Sequence, residues 1–190
     1  MADDDGRMFG ESFAGYSEPN RAYHNEQHIS DCLQQLDDAA DLAERPDEVE
    51  LAIWFHDLIY DTHRSDNESQ SVDRAAAILH ESDYHSEVIE RVVANILATT
   101  HQATPEGLDE QLTVDIDLSI LGRSQKEYDR FEAAIRTEYR WVPSFMFKRR
   151  RRSILKTFLK GDRNYATDQF TQRFESNARE NLRRAIDQLS

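Results

Sequence analysis

Apolar residues recur at intervals of three and four along most of the chain, which is the spacing of one face of an α-helix. From about Asn25 to Ala43 this face consists of Ile29, Cys32, Leu33, Leu36 and Ala40. Stretches in which apolar and polar residues alternate, as in a half-buried strand, are hard to find, and the 190 residues include only 6 glycines and 4 prolines. The pattern therefore predicts an all-α protein, a single compact bundle of about eight helices.

Residues that favour the first turn of a helix indicate where several helices begin. Pro46 is typical of the first turn of the second helix, and Ser86 can start the fourth. Either Asp66 or Asn67 can cap the third helix. The second helix is expected to continue through residues 56–57, with an apolar face formed by Leu51, Ala52, Phe55, Leu58 and Ile59.

The later helices have equally plain boundary signals. The fifth helix is expected to span 108–121, with Gly122 as its C-cap. Ser124 and Glu127 predict a capping box at the start of the sixth helix, and Pro143 is expected to end that helix. Two more helices follow, which completes the predicted bundle.

Charge and composition narrow the possible functions. The net charge of −14 argues against a general nucleic-acid binder, although residues 124–190 hold 16 basic and 9 acidic side chains. No apolar run approaches the roughly 18 residues that span a bilayer, so we expect no membrane partner. The start MADDDGRMFG lacks the basic and apolar parts of a signal peptide. A cytoplasmic location is therefore expected, and the single cysteine, Cys32, excludes an internal disulfide.

Histidine and carboxylate side chains interrupt three of the apolar faces. His56 and Asp57 lie inside the apolar run AIWFHDLIYD, and His28 shares the inward face of the first helix. Asp115 and Asp117 interrupt a third apolar segment, TVDIDLSIL. Unpaired polar groups cost several kcal/mol to bury, and a bound cation would remove much of that cost. Imidazole and carboxylate ligands suit a divalent ion such as Mn, Fe, Co, Ni or Zn.

The order His28, His56-Asp57, Asp117 resembles the HD superfamily of metal-dependent phosphohydrolases. The strings YSEPNRAYHNEQHI (16–29), LAIWFHDLIYD (51–61), DNESQS (66–71) and DIDLSILG (115–122) are similar to those of one bacterial subfamily of predicted HD hydrolases. IRTEYRWVP (135–143) and FESNARENL (174–182) resemble the C-terminal signatures of that subfamily. The resemblance covers nearly the whole chain, and it implies one HD-type domain over residues 1–190.

The resemblance implies a metal site formed by His28, His56, Asp57 and Asp117, with one or two ions per chain, Mg included. Asp117 is preferred as the last ligand because it precedes LSIL, while Asp115 is the alternative, or else orients a ligand histidine. Residues 1–123 would form the metal-ligand core, and residues 124–190 would pack on it. The metal would activate water and hold a phosphoryl oxygen.

Further site residues follow from their positions near these ligands. His24 is expected to bind phosphate or a second metal, Arg21 to contact phosphate, and His101 to join a second metal site. The alternatives are a helix-entry histidine, a surface arginine and a C-capping histidine, respectively. Asp61 and Glu68 flank the loop after the ligands, where either could act as general acid or base, with Glu68 favoured. Acidic residues are also common at helix N-termini for electrostatic reasons alone.

The predicted function is hydrolysis of a small phosphorylated compound, with nucleotides as candidates because many HD enzymes act on them. The alternative is a non-hydrolytic HD-fold protein that binds a nucleotide or regulates another protein. A two-iron oxygenase is a third reading, but it would need more histidine ligands. The basic run KRRRR (148–152) is interpreted as a solvated surface, with a phosphate or partner contact as the alternative. The oligomeric state stays open.

Overall fold

A computed structural model describes residues 14–100 and 104–190, and these residues contain helices and no strand. The α-helices with both ends among the described residues are α1 (Glu26–Ala39), α2 (Pro46–Phe55), α3 (Asn67–Glu81), α4 (Ser86–Ala98), α5 (Leu108–Asp117), α6 (Gln125–Glu138), α7 (Ser144–Phe158) and α8 (Asp168–Gln188). Short 3-10 helices cover Ala40–Leu42 and Leu118–Gly122. The predicted all-α class is confirmed. None of these helices is both long and apolar enough to cross a bilayer.

The contacts of the chain divide it into two compact units, and the division falls between Asp117 and Leu118. The first unit contains α1 to α5, and the second contains the 3-10 helix Leu118–Gly122 with α6 to α8. The expectation of one HD-type domain over residues 1–190 stays a prediction. All the predicted metal ligands belong to the first unit.

Helix α2 is central in the first unit, because it packs against α1, α3, α4 and α5. One apolar cluster of this unit joins α2, the turn after it, α3 and α4. Its members are Leu51, Ala52, Phe55, Leu58, Ala75, Ile78, Leu79, Val92 and Ile96. The packing of α1 and α5 on α2 brings together the three sequence segments that carry the predicted ligands.

The second helix is shorter than predicted, because it ends at Phe55 and not beyond Ile59. Leu58 and Ile59 continue the helical spacing, but the backbone N–H of Ile59 donates to Ser71 Oγ at 3.0 Å. The N–H of Asp61 likewise donates to Asn67 Oδ1 at 3.1 Å. Ser71 and Asn67 of α3 thus accept hydrogen bonds from backbone N–H groups that would bond within α2 if that helix continued. His56 is therefore the C-cap residue of α2, and Asp57 lies in the turn that follows.

Two predicted boundaries in the later part of the chain are also wrong. The fifth helix does not run as one α-helix over 108–121, since α5 ends at Asp117 and a 3-10 helix follows. Pro143 does not end the sixth helix, which already stops at Glu138, and it is the N-cap residue of α7. The Ser124 capping box is confirmed.

In the second unit α8 packs against the 3-10 helix Leu118–Gly122. The side-chain amide of Asn181 donates to the carbonyl oxygens of Leu121 and Arg123 at 2.9 and 3.0 Å. The Tyr165 hydroxyl donates to the Leu118 carbonyl oxygen at 3.1 Å. The bonds from Asn181 satisfy carbonyl groups at the end of a helical segment, where partners within the helix run out.

Gly122 is explained by close packing and not by the predicted C-cap role. No glycine among the described residues has a positive φ. A Cβ atom at position 122 would lie 2.5 Å from the Cβ atom of Phe174 and 2.6 Å from its carbonyl oxygen. The absence of a side chain at position 122 thus lets α8 approach the 3-10 segment.

We expect Gly122→Ala to lower the free energy of unfolding by about 1 to 3 kcal/mol, because the new methyl group forces α8 outward. Urea denaturation followed by circular dichroism would measure the change. Gly107→Ala is the matched control, since a Cβ there meets only the flexible Glu110 side chain at 3.6 Å or more. Equal stability of the two variants would contradict the packing role of Gly122.

Candidate metal centre

Four donor atoms from α1, the end of α2 and the end of α5 converge in the first unit. His56 Nε2 lies 3.2 Å from His28 Nε2 and 3.1 Å from Asp57 Oδ2. Asp117 Oδ1 lies 3.5 Å from His28 Nε2 and 3.7 Å from His56 Nε2. His28, His56 and Asp57 therefore form one group of possible ligand atoms that all lie within 4.8 Å of one another, and Asp117 Oδ1 lies within 3.7 Å of both histidines.

The distance between the two histidines, and the distances from each carboxylate to both of them, fit a single cation. Ligand atoms at about 2.0 to 2.2 Å from one ion stand roughly 3 to 3.5 Å apart at right or tetrahedral angles. The measured separations run from 3.1 Å to 3.8 Å, the latter between His28 Nε2 and Asp57 Oδ2. Both histidines are buried, and the Asp57 and Asp117 side chains are 20% and 23% exposed. Two imidazoles and two carboxylates can hold a divalent metal ion here.

A hydrogen bond fixes the orientation and the tautomer of the His56 ring. Its Nδ1 atom lies 2.8 Å from the carbonyl oxygen of Ile53, and a carbonyl oxygen can only accept. Nδ1 therefore carries the proton and donates it, while Nε2 faces the cluster. When the imidazole is neutral, Nε2 has a free lone pair for a metal. Ligand histidines commonly have such a carbonyl partner on the other nitrogen.

The opposite charges of the histidine and carboxylate side chains in the cluster stabilise each other, although burial disfavours each charge. Burial by itself lowers the pKa of His56, but the Asp57 and Asp117 carboxylates outweigh it and raise that pKa well above its usual value. Burial likewise raises the pKa of Asp57, yet the neighbouring His56, His24 and His28 hold it well below the usual range. Hydrogen bonds with His28 and His56 outweigh burial and lower the pKa of Asp117. Both carboxylates are thus ionised at neutral pH.

A metal ion should displace the proton of His56, so binding near pH 7 should release about one proton per ion. The lowered pKa values keep both carboxylates ionised there, and apparent affinity should rise with pH until the raised pKa of His56 is passed. In the metal-free protein the stability due to protonated His56 is present below its unfolded-state pKa and lost as pH rises through its folded-state pKa. Calorimetry in two buffers of different ionisation enthalpy would count the protons, and no release would contradict this assignment.

The turn that carries Asp57 is held on both sides by polar side chains. Arg21 donates to the carbonyl oxygens of Asp57 and Leu58 at 2.6 and 2.8 Å. On the other side, Ser71 and Asn67 of α3 bind the backbone of Ile59 and Asp61. With the bond from the Ser71 hydroxyl to the Ile59 carbonyl oxygen at 3.4 Å, six hydrogen bonds, counted among the described residues, thus fix the backbone next to the ligands.

Arg21 has a position different from that of a phosphate-binding surface arginine. Its side chain is 1% exposed, and its Nε donates to Glu18 at 3.0 Å. Nη1 and Nη2 donate to the Asp57 and Leu58 carbonyls. These contacts support a role in holding the turn, and the predicted phosphate contact stays a prediction.

His24 lies at the edge of the cluster. Its Nε2 is 4.0 Å from Asp57 Oδ2, and its side chain is 19% exposed. Its ring stacks on Tyr60 with centroids 4.2 Å apart. This position suits contact with a group that approaches the metal centre from solvent.

Cys32 is a neighbour of the cluster that was not assigned to it from the sequence. Its Sγ lies 3.7 Å from Nδ1 and 3.9 Å from Nε2 of the His28 ring. It is nearly equidistant from the two nitrogens and therefore does not lie along the bonding direction of either. It forms a second group of possible ligand atoms with His28 and Asp117, all within 4.8 Å of one another. Cys32 follows His28 by one helical turn, and this spacing is the only feature of the sequence that could have indicated that Cys32 lies beside the cluster.

The other predicted residues lie outside the four-atom cluster. Asp115 is buried, whereas Glu68 is exposed in the first turn of α3. Asp61 Oδ1 accepts hydrogen bonds from the backbone N–H of His63 at 2.9 Å and from its ring at 3.1 Å. His101 lies outside the described residues, so its predicted place at a second metal site stays a prediction.

No model of a known protein family and no curated protein sequence matches the chain.

Proposed function

We propose that this protein is a metal-dependent phosphohydrolase of the HD type that acts on a small phosphorylated compound. The observation that carries the proposal is the approach of the Asp57 and Asp117 carboxylates to within 3.8 Å of the adjacent, buried imidazoles of His28 and His56. Two ionised carboxylates and two imidazoles form a suitable ligand set for a divalent ion. The resemblance of the ligand-bearing strings to HD hydrolases supports the same function.

The residues of the chain would divide the work between holding the ion and binding substrate. When bound, a divalent ion supplies a Lewis acid for a phosphoryl oxygen and lowers the pKa of a water molecule. The partial exposure of the Asp57 and Asp117 carboxylates leaves one side of the cluster accessible. At that side His24, once protonated, would donate a hydrogen bond to a phosphoryl oxygen.

The ligand set favours a first-row transition metal over magnesium. Mg²⁺ prefers oxygen ligands and retains several waters, whereas half of the donors here are imidazole nitrogens. We propose Mn, Fe, Co, Ni or Zn as the bound ion.

The direct test is hydrolysis by the protein loaded with each of these metals in turn. The substrates would be a panel of phosphomonoesters, nucleotides and pyrophosphates, with release of phosphate or pyrophosphate as the readout. Turnover that chelation abolishes and the metal restores would support the proposal. If every metal-loaded form leaves the whole panel intact, the hydrolase proposal fails. Binding of a nucleotide without turnover would then favour a regulatory protein.

Glu68 and Asp61 can be distinguished within the same assay. If Glu68 acts as general acid, Glu68→Gln should slow turnover without loss of metal, most strongly for substrates with a poor leaving group. Asp61 holds the loop through His63, so Asp61→Asn should act mainly through the order of that loop. Equal rates for Glu68→Gln and the wild type would remove Glu68 from the mechanism.

A further inference from the structure

The longest acid-free basic stretch of the chain includes α7, in the second unit. Residues 139–161 contain eight arginine and lysine residues and no acidic residue, in a chain that has 37 aspartates and glutamates. This local excess of positive charge opposes the net charge of −14 for the whole protein. A local basic surface of this kind is suited to an anionic partner.

The five basic residues of KRRRR do not all face the same way. Arg151 forms two hydrogen bonds with the Glu132 carboxylate, at 3.1 and 2.8 Å, so its charge is used inside the unit. Arg152 is half-buried. Arg149 and Arg150 are exposed, and neither forms an ion pair among the described residues. These two arginines form an outward basic face.

Three large apolar side chains at and just before the start of α7 are exposed. Phe145 is 74% exposed, Met146 51% and Trp141 50%. Phe145 precedes Arg149, and Met146 precedes Arg150, by one helical turn, so each apolar residue shares a face with one arginine. We define the basic-apolar patch as Trp141, Phe145, Met146, Arg149 and Arg150. Apolar patches at the surface commonly mark interaction sites.

The turn that presents Trp141 is fixed from within. Arg136 donates to the carbonyl oxygens of Tyr139 and Val142 at 2.8 and 2.9 Å. Its guanidinium also lies 4.7 Å from the centre of the buried Phe147 ring. The exposed end of α7 is therefore preorganised, which lowers the entropic cost of binding a partner there.

We propose that the basic-apolar patch binds the surface of a membrane that contains anionic lipids. Lipid headgroups offer negative charge to Arg149 and Arg150, and the layer beneath them takes up Trp141, Phe145 and Met146. The attachment is peripheral, so it needs no spanning helix. It departs from the expectation of no membrane partner, which rested on the lack of an apolar span.

Two other occupants fit the patch less well. In a symmetric contact between two copies of the chain, the arginines of one patch would face those of the other. A nucleic acid has a denser negative charge, which the excess of acidic residues elsewhere in the chain would repel. Binding to a membrane depends partly on apolar contact, and repulsion from the acidic residues of the chain does not weaken that contribution.

The test is co-sedimentation of the full-length protein with lipid vesicles. We expect binding to vesicles of phosphatidylcholine with about one-third phosphatidylserine, and much weaker binding to pure phosphatidylcholine. In a Trp54→Phe background, Trp141 is the remaining tryptophan. Its fluorescence should then shift to shorter wavelength on binding, and brominated lipids should quench it.

Two pairs of variants separate charge from apolar contact. Arg149→Glu with Arg150→Glu should weaken binding at least about tenfold, whereas the same charge change at the exposed Lys126 and Arg130 should not. Phe145→Ser with Met146→Ser should also weaken binding at least about tenfold. The control is Leu97→Ser with Leu108→Ser, since these leucines are 46% and 52% exposed in the first unit. Thermal unfolding would verify that each variant is folded.

Three results would overturn the proposal. One is no binding to the anionic vesicles even at low salt. Another is binding that the charge variants abolish but the Phe145 and Met146 variants leave unchanged, because it would be adsorption without insertion. The third is competition by a single-stranded RNA oligonucleotide that binds more tightly than the vesicles. Loss of vesicle binding in both patch variants, with both controls intact, would support it.

Discussion

Replacing Asp57 by alanine should yield a protein that purifies without bound metal and has lost at least about 100-fold of any phosphatase activity. Asp57 Oδ2 is the carboxylate oxygen nearest to His56 Nε2, at 3.1 Å. Its charge is also the largest influence that raises the pKa of His56 against the effect of burial. Its removal should therefore bring the pKa of His56 down and leave three donor atoms. Elemental analysis and titration of the His56 ring by NMR would measure both effects.

Asp37→Ala provides the control for this substitution. Asp37 is exposed on α1, the helix that carries His28, so the variant loses the same charge at the surface. It should retain the metal and the activity of the wild type. Equal metal content in Asp57→Ala and the wild type would exclude Asp57 as a ligand. The hydrolase proposal would then have to rely on a different set of residues.

Replacing Arg21 by methionine should lower the free energy of unfolding by about 2 to 4 kcal/mol and weaken metal binding together with it. The substitution keeps an apolar stem but leaves the carbonyl groups of Asp57 and Leu58 without their donors. Since the Asp57 side chain extends from the same turn, a shift of that backbone would move a ligand. Urea denaturation and competition with a metal chelator would measure the two losses separately.

Arg64→Met is the matched control, because Arg64 pairs with Asp66 while both side chains are about half exposed. Exposed pairs of this kind contribute little, so the stability of Arg64→Met should match that of the wild type. If Arg21→Met were as stable as Arg64→Met but failed to bind phosphate compounds, the guanidinium would act on substrate. The prediction of a phosphate contact would then replace the structural role.

Several helix starts were predictable because their signals are local. The Asn25 side chain accepts from the N–H of Gln27, and the Ser124 capping box forms as expected. The end of α2 was not predictable in this way, because Leu58 and Ile59 continue the apolar spacing. Ser71, twelve residues away from Ile59, helps to end that helix, and such distant partners leave no mark in the local pattern.

The ligand residues stood out in the sequence because they interrupt apolar faces, where a lone charge is costly. Their distances follow from how α1, α2 and α5 pack, which spacing along the chain does not define. The role of Arg21 was harder to predict for a chemical reason. A guanidinium donates equally well to a phosphate and to backbone carbonyls, so the residue type is compatible with both. Only its burial and its partners distinguish the two uses.

The convergence of ligands from three parts of the chain has a consequence for chain entropy. An ion bound at the cluster would tie His28 to His56 and Asp57 to Asp117, and so would close two loops of the first unit. In this respect it would act as a reversible cross-link, although the chain has a single cysteine and no internal disulfide. Supply of the metal would then set how long the first unit survives heat or proteases, independently of any catalytic turnover.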